Sequence, residues 1–369
     1  MRIESIELRH IKMELVSPFI TSTGIVYDQE HIIVRVDGDG FTGWGECVAE
    51  ETPFYSCETV QTAWHILSDF LVPAIQGKEI NNIDEVIKLW SKVRGNKMAK
   101  AGLEAALWDI LAKAKGISLS KMLGGVKAKI DVGVSIGIQP SINELLKKVE
   151  EYLRESYKRI KIKIAPGYDL RFVEALRKEY PVILLQVDAN SAYTLDDIKI
   201  FKVLDDYNLL LIEQPLGYED IYDHSKLQRE LKTPICLDES IHSINDTRAA
   251  IELDSCRIIN IKPGRVGGFT ESKLIHDYCA FKNIPVWHGG MLESGIGRAG
   301  NVALASLSNF TLPGDISASK RYYKDDIVEP EFVVNEDVTM DVPTKPGIGV
   351  EVNMALLEKV TVRKQSFSN

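Results

Sequence analysis

RIKIKIA at 159–165, VILLQVD at 182–188, LLLIEQ at 209–214, PICLDE at 234–239 and RIINIK at 257–262 decide the fold of this chain. Each is a short apolar run that ends in or near charge. Lys163, Asp188, Glu213, Asp238 and Lys262 follow one another at intervals of 25, 25, 25 and 24 residues. A strand, a crossover helix and their loops take roughly 30 residues or fewer, so this period is that of consecutive βα units. Parallel strands are buried on both faces and read as continuous Val/Ile/Leu runs, as these do. Their polar ends then emerge together at one rim. A single carboxylate at a strand end can simply begin a turn or cap the next helix. Three at equal spacing, bracketed by lysines, point instead to a site, because the C-terminal rim of a parallel barrel is where chemistry is assembled.

The series extends in both directions. DVGVSIGI at 131–138 precedes it and IPVWHG at 284–289 follows. Helices are predicted up to about residue 155, then near 169–179, 194–205, 223–231, 245–253, 270–281 and 296–308, with a weaker eighth strand near 309–312. An open doubly wound sheet gathers ligands at one switch point, whereas five successive strand ends converge only if the sheet closes. The expectation is an α/β fold, a (β/α)7β-type TIM barrel over 126–321.

Before the barrel, near-alternation over 1–16, the run Ile32-Ile33-Val34-Arg35-Val36 and GWGEC at 43–47 predict antiparallel hairpins. SPFITSTGIVYD at 17–28 is too long for a tight turn and reads as either a mobile flap or a solvated hairpin loop. Helical periodicity holds over 57–71, 83–93 and 98–114, the last with Ala101, Ala105 and Ala106 suited to close packing. Residues 1–125 are therefore expected to form an α+β capping domain. Short strands at 332–334 and 350–352 are expected to return to its sheet within 322–369, with KQSFSN at 364–369 frayed.

The chain has 369 residues, 45% hydrophobic and 26% charged, enough for two globular domains. A net charge of −9 without a basic run argues against nucleic acid as a partner. The five cysteines are odd in number and widely spaced, which points to a reducing compartment rather than a disulfide framework, and without a CxxC pair a structural zinc site has no support in the sequence. No stretch reaches the roughly 18 apolar residues of a membrane span, and the N-terminus lacks an apolar signal core. The expected location is the cytoplasm, without membrane association.

Asp188, Glu213 and Asp238 offer oxygen ligands from neighbouring strands, a donor set for a hard divalent cation: Mg²⁺, with Mn²⁺ as substitute. Asn190 and Glu239 stand close by in sequence to support them. Lys161 and Lys163 are two apart and face one side of their strand. A lysine near a cation and another lysine has its charged form disfavoured, which moves it toward general-base duty. Lys262 arrives four strands on, across the mouth. Bases on opposite faces can remove and return a proton, or one can abstract while the other stabilises the anion. Proton abstraction α to a carboxylate needs this combination, because the resulting dianion demands concentrated positive charge. GRVGG at 264–268 allows a tight turn that brings backbone N–H groups near substrate, and Glu293 is placed to hold Lys262 or a substrate group.

Lys161-Ile162-Lys163, Asp188-Ala189-Asn190, Glu213-Gln214-Pro215, Asp238-Glu239-Ser240 and Lys262-Pro263-Gly264 resemble the enolase superfamily, in its muconate-lactonizing-like subgroup, over essentially the whole chain. FYSCET at 54–59, NKMAKAGLEAALWD at 96–109, VGVSIGI at 132–138, GGMLESGIGRAGN at 289–301 and LPGDIS at 312–317 resemble the o-succinylbenzoate synthases that often double as N-succinyl- or N-acylamino acid racemases. The resemblance implies Mg²⁺ on Asp188, Glu213 and Asp238, and α-proton abstraction by Lys163. It implies that Lys262 stabilises the anion or serves as second base, and that Lys161 sets the behaviour of Lys163. It also places Ser135, Gly264 and Met291 near a small carboxylate substrate, makes Arg265 a candidate for tuning racemisation, and suggests a homo-oligomer. Two positions depart from pattern: Gly300 stands where histidine is frequent, and Asp315-Ile316-Ser317 lacks the second carboxylate with which dipeptide epimerases hold an ammonium group. That loss favours an acylated amine or a succinyl arm over a dipeptide. Muconate cycloisomerase and a non-catalytic barrel are the remaining alternatives.

Overall fold

The computed structural model describes residues 1–21 and 24–368. Alternation at the N-terminus gives a four-stranded antiparallel sheet made of β1 (Ser5–Thr21), β2 (Gly24–Gly38), β3 (Phe41–Cys47) and a C-terminal strand, Thr361–Ser368. The stretch 17–28 is mostly strand: Phe19, Ile20 and Thr21 pair with Val26, Ile25 and Gly24 after a register shift that begins at Glu14. The expectation of a loop there fails because the apolar pairs Phe19/Val26 and Ile20/Ile25 continue the ladder across the bulge. Residues 22 and 23 lie outside the described set.

One face of this sheet carries Ile6, Leu8, Ile32 and Val34, buried against the helices Val60–Ile66 and Lys97–Ala114. Small residues allow the approach. A Cβ on Gly45 would stand 2.2 Å from the Gly102 carbonyl oxygen, and one on Gly102 would stand 2.6 Å from the Cys47 Cβ. The helix predicted over 57–71 begins at Val60 behind a Thr59 capping box and widens into a π-turn at Leu67–Leu71.

The barrel follows β4 (Lys129–Asp131). Its strands are β5 (Val134–Ile136), β6 (Arg159–Lys163), β7 (Leu184–Asp188), β8 (Ile212–Glu213), β9 (Ile235–Leu237), β10 (Ile258–Ile261) and β11 (Val286–His288), all parallel and in sequential order. The predicted eighth strand is reduced to single bridges: Phe310 pairs with Val286 and Gly314 with Val132. Thr311 N donates to Val286 O at 3.1 Å and Gly133 N to Gly314 O at 2.8 Å, so the ring closes through 310–314. The intervening helices fall within one to four residues of the predicted ranges, for example Leu170–Glu179 and Phe269–Phe281.

The C-terminal segment departs from expectation. Glu351–Val352 pairs with Val328–Glu329 and Thr339–Asp341 with β4, whereas 332–334 forms no strand. The return to the N-terminal sheet is made by Thr361–Ser368 against β1, so the tail expected to fray is an edge strand; residue 369 is not described. Its alternation of Val362, Lys364 and Ser366 with Arg363, Gln365 and Phe367 suits an edge strand with one solvated face. No helix among the described residues is long and apolar enough to cross a membrane.

Candidate active site

Strand β6 alternates cleanly. Ile160 and Ile162 turn outward to the helices, and Arg159, Lys161 and Lys163 turn inward. Register places Lys163 beside Asp188 and Asp188 beside Glu213. Lys161 Nζ lies 2.8 Å from Asp188 Oδ2, 2.6 Å from Glu213 Oε2 and 2.9 Å from Asp315 Oδ2. Lys163 Nζ lies 2.6 Å from Asp188 Oδ2. Across the mouth, Lys262 Nζ donates to Asp238 Oδ2 at 2.8 Å and to the Tyr55 hydroxyl at 3.0 Å, while Arg265 pairs with Asp238 Oδ1. Glu213 also accepts from Gln186 Nε2 at 2.9 Å and Asn260 Nδ2 at 2.7 Å. Beneath the lysines the Trp287 ring carries Lys161 Nζ at 4.9 Å and Arg159 Cζ at 5.4 Å from its centroid.

The three carboxylates are each tied to cationic side chains. Among the described residues, no three acidic, imidazole or thiol groups are placed to share one ion. Asp188, Glu213 and Asp238 are fully buried and each is instead capped by a cationic side chain, which is how buried carboxylates avoid unpaired charge. The donor set still fits a hard dication. It is all oxygen, and the buried Glu239 Oε2 has no hydrogen-bond partner, a further carboxylate oxygen available beside the three.

The carboxylates set the charge state of two of the lysines. Burial pulls Lys161 down, but Asp188, Asp315 and Glu213 outweigh it and hold the ammonium well above its ordinary range. Burial likewise acts on Lys262 and is outweighed by Tyr55, Glu239 and Glu213, so its proton too is held more tightly than usual. Asp188 is driven far down, burial being overcome by Lys161 and Lys163; Glu213 is pushed up by burial and by Asp188.

The pocket above this floor has a volume of about 460 Å³. Ser135, Lys161, Lys163, Asn190, Glu239, Lys262 and Met291 all line it, as do Glu50, Phe54 and Tyr55 from the N-terminal unit. Asn190 Nδ2 donates to Glu239 Oε1 at 3.0 Å. After β7 and β8 the chain turns through left-handed backbone at non-glycine residues, Asn190 (φ 41°), Ser191 (φ 64°) and Gln214 (φ 37°), of the kind retained at functional sites.

Two expected residues lie elsewhere. Glu293 accepts from the Met291 N–H at 3.0 Å and does not hold Lys262, whose partners are Asp238 and Tyr55. Gly264 packs under the N-terminal unit, where a Cβ would meet Val48 Cγ2 at 2.3 Å. Both line a separate cavity of about 30 Å³. Gly300 lines it too, and a Cβ there would meet Phe269 Cζ at 2.5 Å, so histidine at this position requires the phenylalanine ring to move. One residue was missed and two were read without these contacts. Arg159, the one missed, was legible as the start of the i, i+2, i+4 series on β6. Asp315 stood out only for the serine two places after it, yet it takes Arg159 Nη1 at 2.7 Å as well as Lys161. Tyr55 was read only within FYSCET at 54–59, and its contact with Lys262 carried no spacing signal.

Comparison with known proteins agrees with this architecture. The N-terminal domain description of mandelate racemase / muconate lactonizing enzyme matches residues 4–124, and the enolase C-terminal domain-like description matches 144–356. An o-succinylbenzoate synthase of Geobacillus stearothermophilus is 52% identical over 97% of this chain and 96% of its own. An N-succinylamino acid racemase of Amycolatopsis sp is 48% identical over 99% of both. The crystal structure of an enolase superfamily member from Listeria innocua superposes with a TM-score of 0.95 at 44% identity, covering 99% of both chains. A closed parallel barrel with lysines and carboxylates at its rim, under an antiparallel cap and with both domains matched along the chain, makes this protein a member of the enolase superfamily of enzymes, in its mandelate racemase / muconate lactonizing branch.

Proposed function

We propose that this chain is a Mg²⁺-dependent o-succinylbenzoate synthase that also racemises N-succinyl- or N-acylamino acids. The synthase reaction dehydrates 2-succinyl-6-hydroxy-2,4-cyclohexadiene-1-carboxylate. The observation that carries the reading is the placement of Lys163 and Lys262 on strands four apart, both facing one pocket whose floor holds three buried carboxylates. Asp188, Glu213 and Asp238 would hold the cation, with Mn²⁺ as a substitute. When bound, the dication would supply the positive charge that proton loss α to a carboxylate demands.

Lys163 then serves as the base for the α-proton. Lys262 faces the substrate from the other side, where its ammonium stabilises the developing anion in dehydration and exchanges a proton with the opposite face in racemisation. Lys161, buried against Asp188, Glu213 and Asp315, orients the substrate carboxylate and keeps positive charge beside Lys163. Arg265, which donates to Asp238, to Ile241 O at 2.6 Å and to Asn260 O at 2.5 Å, fixes the carboxylate that receives Lys262 and so tunes its proton transfer. Asp315 is engaged by two cations, which leaves it poorly placed for a free ammonium and supports an acylated amine over a dipeptide.

Racemisation as the sole physiological role is the second reading, favoured by a relative of that name at 48% identity. On the same reading, residues 1–125 with 322–369 cap the barrel of 126–321, and the enzyme works in the cytoplasm as a homo-oligomer. The test assays purified protein with Mg²⁺ on the cyclohexadiene substrate and on N-succinylamino acids. Lys163→Ala is expected to abolish both activities, and Lys262→Ala to abolish racemisation and weaken the synthase by about 10³-fold or more. A wild-type protein inactive on both substrates, or racemisation that survives Lys262→Ala, overturns the assignment.

A further inference from the structure

The pocket wall at Met291 and Leu292 is held in a conformation its own sequence disfavours. Leu292 sits at φ 58°, a left-handed backbone that a branched, non-glycine residue keeps only when its surroundings over-determine it. Those surroundings are visible. The Tyr323 hydroxyl donates to Leu292 O and Arg298 Nη2 to Glu293 O at 2.9 Å. The third tie comes from the N-terminal sheet, 248 residues away in sequence. Glu46 on β3 accepts from Ser294 N at 3.0 Å and from His31 Nδ1 at 2.6 Å with one oxygen. With the other it accepts from Ser294 Oγ at 2.6 Å and Gly297 N at 2.8 Å. Ser294 caps the helix Gly295–Ala305, so the carboxylate meets the positive end of that helix as well as its free N–H groups.

The support behind Glu46 is also built. His31 is buried, and its Nε2 lies 2.9 Å from Gln29 Nε2; with the amide so placed, the ring accepts there and donates its Nδ1 proton to Glu46. Burial opposes ionisation of Glu46, but His31 and Ser294 outweigh it, so the group stands as a carboxylate. Every acceptor site is thus spent on the chain just past Leu292 or on its own bracing, and none faces the substrate pocket.

We propose that Glu46 is a positioning residue: it acts through Ser294 to hold the left-handed turn at Leu292, and thereby sets the pocket wall that selects substrate without touching it. The consequence for substrate rests on the function proposed above; the mechanical latch does not. Two readouts separate them. Backbone amide exchange compares wild type with Glu46→Gln, which keeps the shape but turns an NH₂ toward a donor. Exchange at 289–297 is expected to rise while β6 to β10 stay as protected as before. Steady-state kinetics on both substrates are expected to show KM raised about tenfold with kcat changed less than about twofold. Leu292→Gly removes the need for the latch, so Glu46→Gln in that background should raise KM much less than in the wild-type background. If Glu46→Gln does not fold, Ser294→Ala, which deletes one of the four contacts, carries the same comparison and is expected to shift exchange and KM in the same direction. Unchanged exchange at 289–297, a loss confined to kcat, or equal effects in the wild-type and Leu292→Gly backgrounds overturns the proposal. A wild type inactive on both substrates with faster exchange at 289–297 in Glu46→Gln sinks the function above and leaves the latch standing.

Discussion

Asp315→Asn isolates the charge balance under the pocket. Around the floor, Asp188, Glu213 and Asp315 face Arg159, Lys161 and Lys163, three carboxylates against three cations, all with little or no solvent contact. The amide keeps the shape of Asp315 and leaves one positive charge unbalanced. An ion pair at the 2.7 Å of Arg159 and Asp315 is worth about 6 kcal/mol at an effective dielectric near 20, before desolvation is subtracted. Burial pushes the Asp315 carboxyl up, but Arg159 and Lys161 hold it down at about 2, against an ordinary 3.8. At 1.36 kcal/mol per pH unit that difference is about 2 kcal/mol. Breaking buried pairs typically costs about 3–5 kcal/mol, and here Arg159 keeps Pro313 O at 2.8 Å while Lys161 keeps two carboxylates. The expected loss is therefore about 2–4 kcal/mol at pH 7, read as a lower urea midpoint at unchanged slope. A depressed carboxyl contributes its stability above its unfolded value and loses it as pH falls through its folded value. The gap between wild type and variant should accordingly close between about pH 4 and pH 2. A gap below about 1 kcal/mol at pH 7, or one that persists unchanged to pH 2, refutes the charge-balance reasoning.

Chelation with EDTA should abolish both activities and Mg²⁺ should restore them. The same ion at about 100 times its dissociation constant should add about 2.7 kcal/mol to stability, a thermal shift that Asp238→Asn removes; a shift that survives in the variant means that Asp238 is not a ligand. A chromogenic disulfide reagent should label one thiol of the native protein, Cys57, and five after denaturation. The other four cysteines are buried and burial raises their thiols, Cys279 to about 12. Fast labelling of a second thiol would show that one of these four is open to solvent.

By itself the sequence determined the barrel and the residues of its rim. The period from Lys163 to Lys262 and the unbroken apolar runs are local properties, set by the length of a βα unit and by burial of both sheet faces, so they survive in a one-dimensional reading. The inward facing of Lys161 and Lys163 follows from the two-residue repeat of a strand. Tertiary structure decided what those groups do to one another. Whether a lysine is pushed toward its neutral form depends on distances of a few ångströms to Asp188, Glu213 and Asp315, and these raise Lys161 despite its burial. The Tyr55 contact with Lys262, the displacement of Glu293 and Gly264 into a second cavity, and the pairing of 361–368 with β1 all join segments far apart in the chain. Such contacts leave no periodic trace, because they are fixed by how two layers pack and not by the repeat of either.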